Sequence, residues 1–166
     1  YYKKNNRTFK ISEVKNMTKE KFNEIIDYAI NEEKKAAKFY RELQDVVKFA
    51  AQKKLLKEYE LMEEGHAAVL EEIKRKGVEK IKVQKTKDLH LSDYLVDVAP
   101  SASMNYQDIL LLATKKEAAA YKMYKDLADK YYGTEVEDIF RKLAAEELDH
   151  KYMFEKMYDD DILTQN

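Results

Sequence analysis

"LAAEELDH", residues 143–150, begins an apolar helix face with Leu143 and Ala144 and then sets Glu147 and His150 on that same face. Side chains three and four residues apart share one side of an α-helix. A carboxylate and an imidazole therefore stand where core contacts belong. The pattern occurs again at "LMEEGH" (61–66), where Glu63 and His66 keep the three-residue spacing. Two further carboxylates interrupt apolar stripes: Glu33 lies between Ala29 and Ala36, and Glu117 between Ala113 and Ala120.

The stripes around these gaps predict four helices. The first runs through Phe22, Ile25, Ile26, Ala29, Ala36, Tyr40, Leu43 and Val47. The second runs through Leu55, Leu56, Tyr59, Met62, Val69, Leu70 and Ile73. The third runs through Tyr106, Ile109, Leu110, Ala113, Ala120, Tyr124, Leu127 and Tyr131, and the fourth through Ile139, Phe140, Leu143, Phe154 and Met157. Thr18 and Asn105 are candidate N-caps, and Gly77 and Gly133 candidate stops. Helices one and two join near residues 45–49, and helices three and four turn at Gly133. Short joins make antiparallel neighbours. Residues 77–104 form a connection long enough to run the length of the bundle, which makes helices two and three parallel; a short helix around Leu91 to Val98, ended by Pro100, is expected within it. The predicted fold is all-α: two helical hairpins joined by one long crossover, the ferritin-like four-helix bundle. Residues 18–158 are expected to form this domain, with an extension at 1–17 and an acidic tail at 159–166.

The two halves repeat. Glu33 precedes Glu63 by 30 residues, and Glu117 precedes Glu147 by 30. A shift of 84 aligns residues 22–66 with 106–150 without a gap. Ile25, Ala29, Glu33, Ala36, Lys38, Tyr40, Leu43, Asp45, Glu63 and His66 then meet identical residues. Every inward polar residue belongs to that matched set, as a duplicated helical hairpin requires.

Composition narrows the chemistry. With 38% charged residues, three Gly and one Pro in 166 residues, the chain has the make-up of a helix bundle. The absence of Cys excludes disulfides, thiolate metal sites, iron–sulfur clusters and Cys nucleophiles. A formal net charge of −1 argues against nucleic acid as a partner, and no run of 18 apolar residues is present to span a membrane. The start, "YYKKNNRTFK", has no apolar signal core, so a cytoplasmic location is expected.

Four carboxylates in one core cost several kcal/mol or more each as free charges, even after relaxation. Protonation neutralises them only at strongly raised pKa values. Two divalent cations balance four negative charges completely. Carboxylate and imidazole donors suit iron or manganese, and also zinc. One Glu from each of two helices, with Glu-x-x-His from each of the other two, is the donor set of ferritin-like di-metal bundles. Glu33, Glu63, His66, Glu117, Glu147 and His150 are the candidate ligands.

The motifs "AINEEKKAAKFY" (29–40), "LMEEGH" (61–66), "ATKKEAAAYKMY" (113–124) and "LAAEELDH" (143–150) resemble the rubrerythrin branch of the ferritin-like di-iron carboxylate proteins over about residues 20–157. The resemblance implies a di-iron centre bridged by Glu63 and Glu147, with Glu33 and His66 completing one metal and Glu117 and His150 the other. It implies reduction of hydrogen peroxide or dioxygen and a role in oxidative stress; with no obvious fifth helix after the fourth, a homodimer is expected rather than a cage. Full rubrerythrins also carry a Cys-ligated rubredoxin domain. Lacking Cys, this chain is expected to draw electrons from an external donor such as a rubredoxin-type protein. The family's further Glu, three residues after the helix-three ligand, is Ala120 here, which implies a symmetric site closer to that of bacterioferritin. The alternatives are a ferroxidase or iron-handling protein, a bundle that holds metal for stability alone, and an oxygenase with an apolar pocket beside the metals.

Other residues carry two readings each. Tyr40 and Tyr124 lie two turns after Glu33 and Glu117, either filling the core or hydrogen-bonding ligand carboxylates. Gly65 either relieves crowding at the site or sits against a neighbouring helix. The basic run 74–87 is a solvated face or a docking patch for an acidic electron carrier. His90 is expected at the surface, and Met62, Met123 and Met153 in the core.

Overall fold

A computed structural model of the chain describes residues 19–77, 89–96, 98 and 100–165. Four long helices make up almost all of it: α1 Lys19–Val46, α2 Ala50–Lys76, α3 Tyr106–Lys130 and α4 Glu137–Gln165. No strand occurs among the described residues. The fold is the ferritin-like four-helix bundle. Thr18, the extension 1–17 and residues 78–88 of the crossover lie outside the described residues, and with them most of the basic run.

Cross-helix pairs fix the directions. Arg41 on α1 reaches Glu60 and Glu64 on α2, while Lys34 reaches Glu71 and Lys74 reaches back to Asp27, so these helices are antiparallel. Arg141 on α4 approaches Asp129 on α3 across the second hairpin. Tyr40 pairs with Glu117 and Tyr124 with Glu33, which makes α1 and α3 antiparallel and leaves α2 and α3 parallel. That is the arrangement a long crossover permits.

Local chemistry sets the helix ends. Asn105 accepts from the Asp108 amide at 2.8 Å, and the Asp108 carboxylate accepts from the Asn105 amide at 3.1 Å, a reciprocal capping box. Gly77 ends α2 at φ 68°, its amide bonded to Ile73. Gly133, at φ 75°, makes the turn before α4 possible, because a Cβ is strained in that region. The short helix expected over 91–98 is a single 3-10 turn, Leu91–Tyr94. Tyr28 donates to the Leu91 carbonyl and Tyr94 to Asp126, which tie this strap to α1 and α3. The expected acidic tail is not separate: Asp159 to Asp161 are helical and continue α4 to Gln165.

Two apolar clusters fill the bundle. One gathers Phe22, Ile26, Leu70, Leu127, Tyr131 and Phe140; the other gathers Phe39, Leu43, Leu56, Leu110 and Phe154. Each large apolar side chain so buried contributes about 1.5–3 kcal/mol. Met62 and Met153, expected in the core, are exposed, as is Val69. Met62 and Val69 carry the α2 stripe past its buried face, and Met153 lies off the buried face of α4. His90 is exposed, as expected.

Asn105→Ala should lower stability by about 1 kcal/mol, because it removes one arm of the capping box. Urea denaturation checks this; an unchanged midpoint would show that the cap is idle.

Candidate metal centre

Between the two apolar clusters lies a polar layer. Glu33 comes from α1, Glu63 and His66 from α2, Glu117 from α3, and Glu147 and His150 from α4. All six are buried, the most exposed at 8%. Their oxygens and nitrogens form two groups, Glu33, Glu63, His66 and Glu147 in one and Glu63, Glu117, Glu147 and His150 in the other, with the offered atoms of each group within 4.8 Å of one another.

The carboxylate oxygens sort cleanly between the histidines. His66 Nδ1 faces Glu147 Oε1 at 2.7 Å, Glu63 Oε2 at 3.1 Å and Glu33 Oε2 at 3.6 Å. His150 Nδ1 faces Glu117 Oε2 at 3.4 Å, and Glu63 Oε1 and Glu147 Oε2 at 3.6 Å. Glu63 and Glu147 therefore offer one oxygen to each histidine, whereas Glu33 and Glu117 serve one each.

Hydrogen bonding does not account for this convergence. A ring nitrogen carries one proton or one lone pair, so Nδ1 cannot satisfy three carboxylates at once. Glu63 Oε1, Glu147 Oε1 and His150 Nδ1 are buried without a hydrogen-bond partner among the described residues. Glu147 Oε1 lies 2.7 Å from His66 Nδ1, yet the pair lacks hydrogen-bond geometry. Orphaned buried donors and acceptors are costly. Of these six approaches only that of His66 Nδ1 to Glu63 Oε2 is a hydrogen bond among the described residues; atoms that crowd round a common point mostly without bonding one another are what a coordination shell requires. The residues fit a pair of cations.

Around this layer, Tyr40 donates to Glu117 and Tyr124 to Glu33. Each tyrosine reaches across to the opposite helix rather than to the carboxylate two turns back on its own. Burial, with the neighbouring carboxylates, holds both hydroxyls well above the usual tyrosine pKa, so they remain donors. Tyr59 packs edge-on against His150 at 4.9 Å.

The metal-free cluster balances its charge with protons. Burial raises the Glu33 and Glu117 carboxyls well above the usual range, reinforced by the other carboxylates. Burial also opposes ionisation of Glu147, but close approach by His150, His66 and Glu117 brings it down to about 2. For the histidines burial favours the neutral ring. The carboxylates outweigh it, lifting His150 to about 12 and His66 well above its ordinary value.

A cavity of about 50 Å³ opens beside the cluster between α1 and α3. Ala36, Ala119, Ala120, Val96, Tyr94 and Met123 wall it, Glu32, Lys35 and Lys116 border it, and Glu33, Glu63, Glu117 and Glu147 line its inner end. Lys116 donates to the Val96 carbonyl at 3.0 Å and so pins the strap at the edge of the cavity. Ala36 and Ala120, expected as core residues, are only half-buried because they face this space.

Sequence reasoning missed two polar features. Glu146, beside Glu147, lies 2.9 Å from His66 Nε2. Glu60 is buried outside the cluster and is held by Arg41, Gln44 and Lys57. Neither is visible in helix periodicity, since both depend on the register between neighbouring helices. Gly65 has open space where a side chain would stand, so neither crowding nor a close helix approach accounts for it.

Comparison with protein families matches residues 24–158 to the rubrerythrin family. The chain belongs to the rubrerythrin family. Comparison with curated proteins and with solved structures found no match. In this family member, as throughout the described residues, no helix is long and apolar enough to cross a membrane.

Cation binding requires the carboxylates ionised and the imidazoles neutral. The folded-state pKa values of Glu33, Glu117, His66 and His150 are all raised, which favours the protonated form of each before a cation binds. Loading the cluster with two divalent cations near neutral pH should therefore release protons, and affinity should rise with pH. Calorimetry in buffers of different ionisation enthalpy counts them; release of fewer than about one proton contradicts the charge assignment.

Proposed function

We propose that this chain is a di-iron oxidoreductase that reduces hydrogen peroxide, or dioxygen, with electrons from an external donor. The cavity carries this reading: it is small and apolar-walled, and it ends on the four carboxylates. A water needs roughly 10–15 Å³ of such space, so the cavity takes a few water-sized molecules. Hydrogen peroxide fits. Organic substrates of ordinary size occupy pockets of about 300–1,000 Å³, which weighs against an oxygenase.

On this reading Glu63 and Glu147 would help hold both metals, Glu33 with His66 would complete one and Glu117 with His150 the other. The division of carboxylate oxygens between the histidines supports that assignment. Iron suits the mixed carboxylate and imidazole donors; manganese and zinc accept the same set. When bound, the two ferrous ions supply the two electrons that convert hydrogen peroxide and two protons into two waters.

The chain's own residues select and orient. Ala36 and Ala120 are small enough to leave a path to the carboxylates, and Val96 and Met123 give that path apolar walls. Tyr40 Oη and Tyr124 Oη keep their protons and fix the rotamers of Glu117 and Glu33. Their raised pKa makes them poor acids, so they hold the carboxylates rather than deliver protons to the oxidant. The sequence given has no Cys and so no thiolate-ligated iron, and electrons are to come from a donor outside these residues.

After anaerobic reconstitution, the chain should bind two ferrous ions, and one equivalent of hydrogen peroxide should oxidise both. Glu63→Ala or Glu147→Ala should abolish the pair, while Glu64→Ala, whose side chain pairs with Arg41 at the surface, should leave it intact. Ala120→Leu should slow oxidation by roughly tenfold or more, a barrier increase of about 1.4 kcal/mol, without changing iron content. Metal analysis with stopped-flow absorbance reads these outcomes. Bound iron that ignores peroxide would leave a metal-holding role in place of the oxidoreductase.

A further inference from the structure

The two halves of the cluster differ at a polar contact outside the six candidate ligands. His66 turns Nδ1 inward and sets Nε2 2.9 Å from Glu146 Oε2 on α4. The position equivalent to Glu146 under the 84-residue repeat is Met62, whose thioether cannot replace a carboxylate. Among the described residues, the carboxylates within 4 Å of His150 are Glu63, Glu117 and Glu147, all approaching Nδ1. The internal repeat is thus broken where one histidine meets its outer partner.

We propose that Glu146 is a positioning residue that makes the two cation positions unequal, with the position at His66 the tighter. This inference rests on the di-metal reading above. A neutral imidazole has one N–H and one lone pair, and the partner of one nitrogen decides the role of the other. An acceptor carboxylate at Nε2 keeps the hydrogen there and leaves the Nδ1 lone pair facing Glu33, Glu63 and Glu147. The carboxylate also makes the ring a stronger donor to a metal. Among the described residues His150 has no such carboxylate, and it lacks that preparation. The side chain of Glu146 is 39% exposed, so it can be replaced without opening the core.

Titration of the metal-free chain with Co(II), followed by visible absorbance, tests the proposal. The wild type should fill in two steps of different affinity. Glu146→Ala should weaken the tighter step by about 10–100-fold and leave the other in place, bringing the two together. Glu146→Gln keeps an acceptor without the charge and should lose less. Met62→Glu restores the repeat at an exposed position and should strengthen only the weaker step, a gain that general damage to the fold cannot produce. Equal steps in the wild type, or a Glu146→Ala effect that falls on both steps alike, overturns the proposal. A Met62→Glu variant with unchanged steps also counts against it. A wild-type chain that takes up no Co(II) overturns the di-metal reading itself, and this inference with it.

Discussion

Everything in this bundle is arranged around four carboxylates that have been taken out of water. Glu33, Glu63, Glu117 and Glu147 are each at most 3% exposed and lie between two apolar clusters. Such a layer is sustainable only if positive charge enters it. Six apolar side chains of similar size would stabilise the fold more simply. Their replacement by four acids and two histidines is therefore a functional commitment, and the helix stripes, the hairpins and the crossover serve to bring the six together.

The charge can be balanced in two ways. In the metal-free chain, the raised pKa values of Glu33, Glu117, His66 and His150 favour protons on those four groups. Two divalent cations provide the same balance without protons. The tyrosines act in either state, because Tyr40 and Tyr124 donate across the bundle and link the α1 and α3 helices through the carboxylates themselves. The same α1–α3 face carries the cavity. Its alanines are small enough to leave a path to the layer, and the strap at Tyr94 and Val96 borders it. The rubrerythrin family match is consistent with this design.

Much of this was legible in the sequence because helix periodicity makes an intruding charge conspicuous. Glu33 and Glu117 stand out only against Ala29, Ala36, Ala113 and Ala120, and the 84-residue repeat ties the two gaps together. The helix directions followed from loop lengths. What stayed hidden depends on the register between helices that are far apart in sequence. Glu146 reaches His66 across 80 positions, and Tyr40 reaches Glu117 across 77. The stripe also overreached at Met62 and Val69, and the core expectation at Met153, where apolar residues lie beyond the buried face of the helix. Ala36 and Ala120 read as core because a small apolar residue facing a cavity has the same pattern as one facing a neighbour. A one-dimensional pattern cannot tell an empty space from a filled one.

The central claim is that two cations occupy this layer, one toward each histidine. Crystals of the chain grown with Mn(II) or Fe(II), and measured at an energy where the metal scatters anomalously, test it most directly. The account predicts two anomalous peaks between Glu63 and Glu147, one beside His66 and Glu33, the other beside His150 and Glu117. A single central peak, or a cluster with no peak while metal sits elsewhere on the chain, would contradict it.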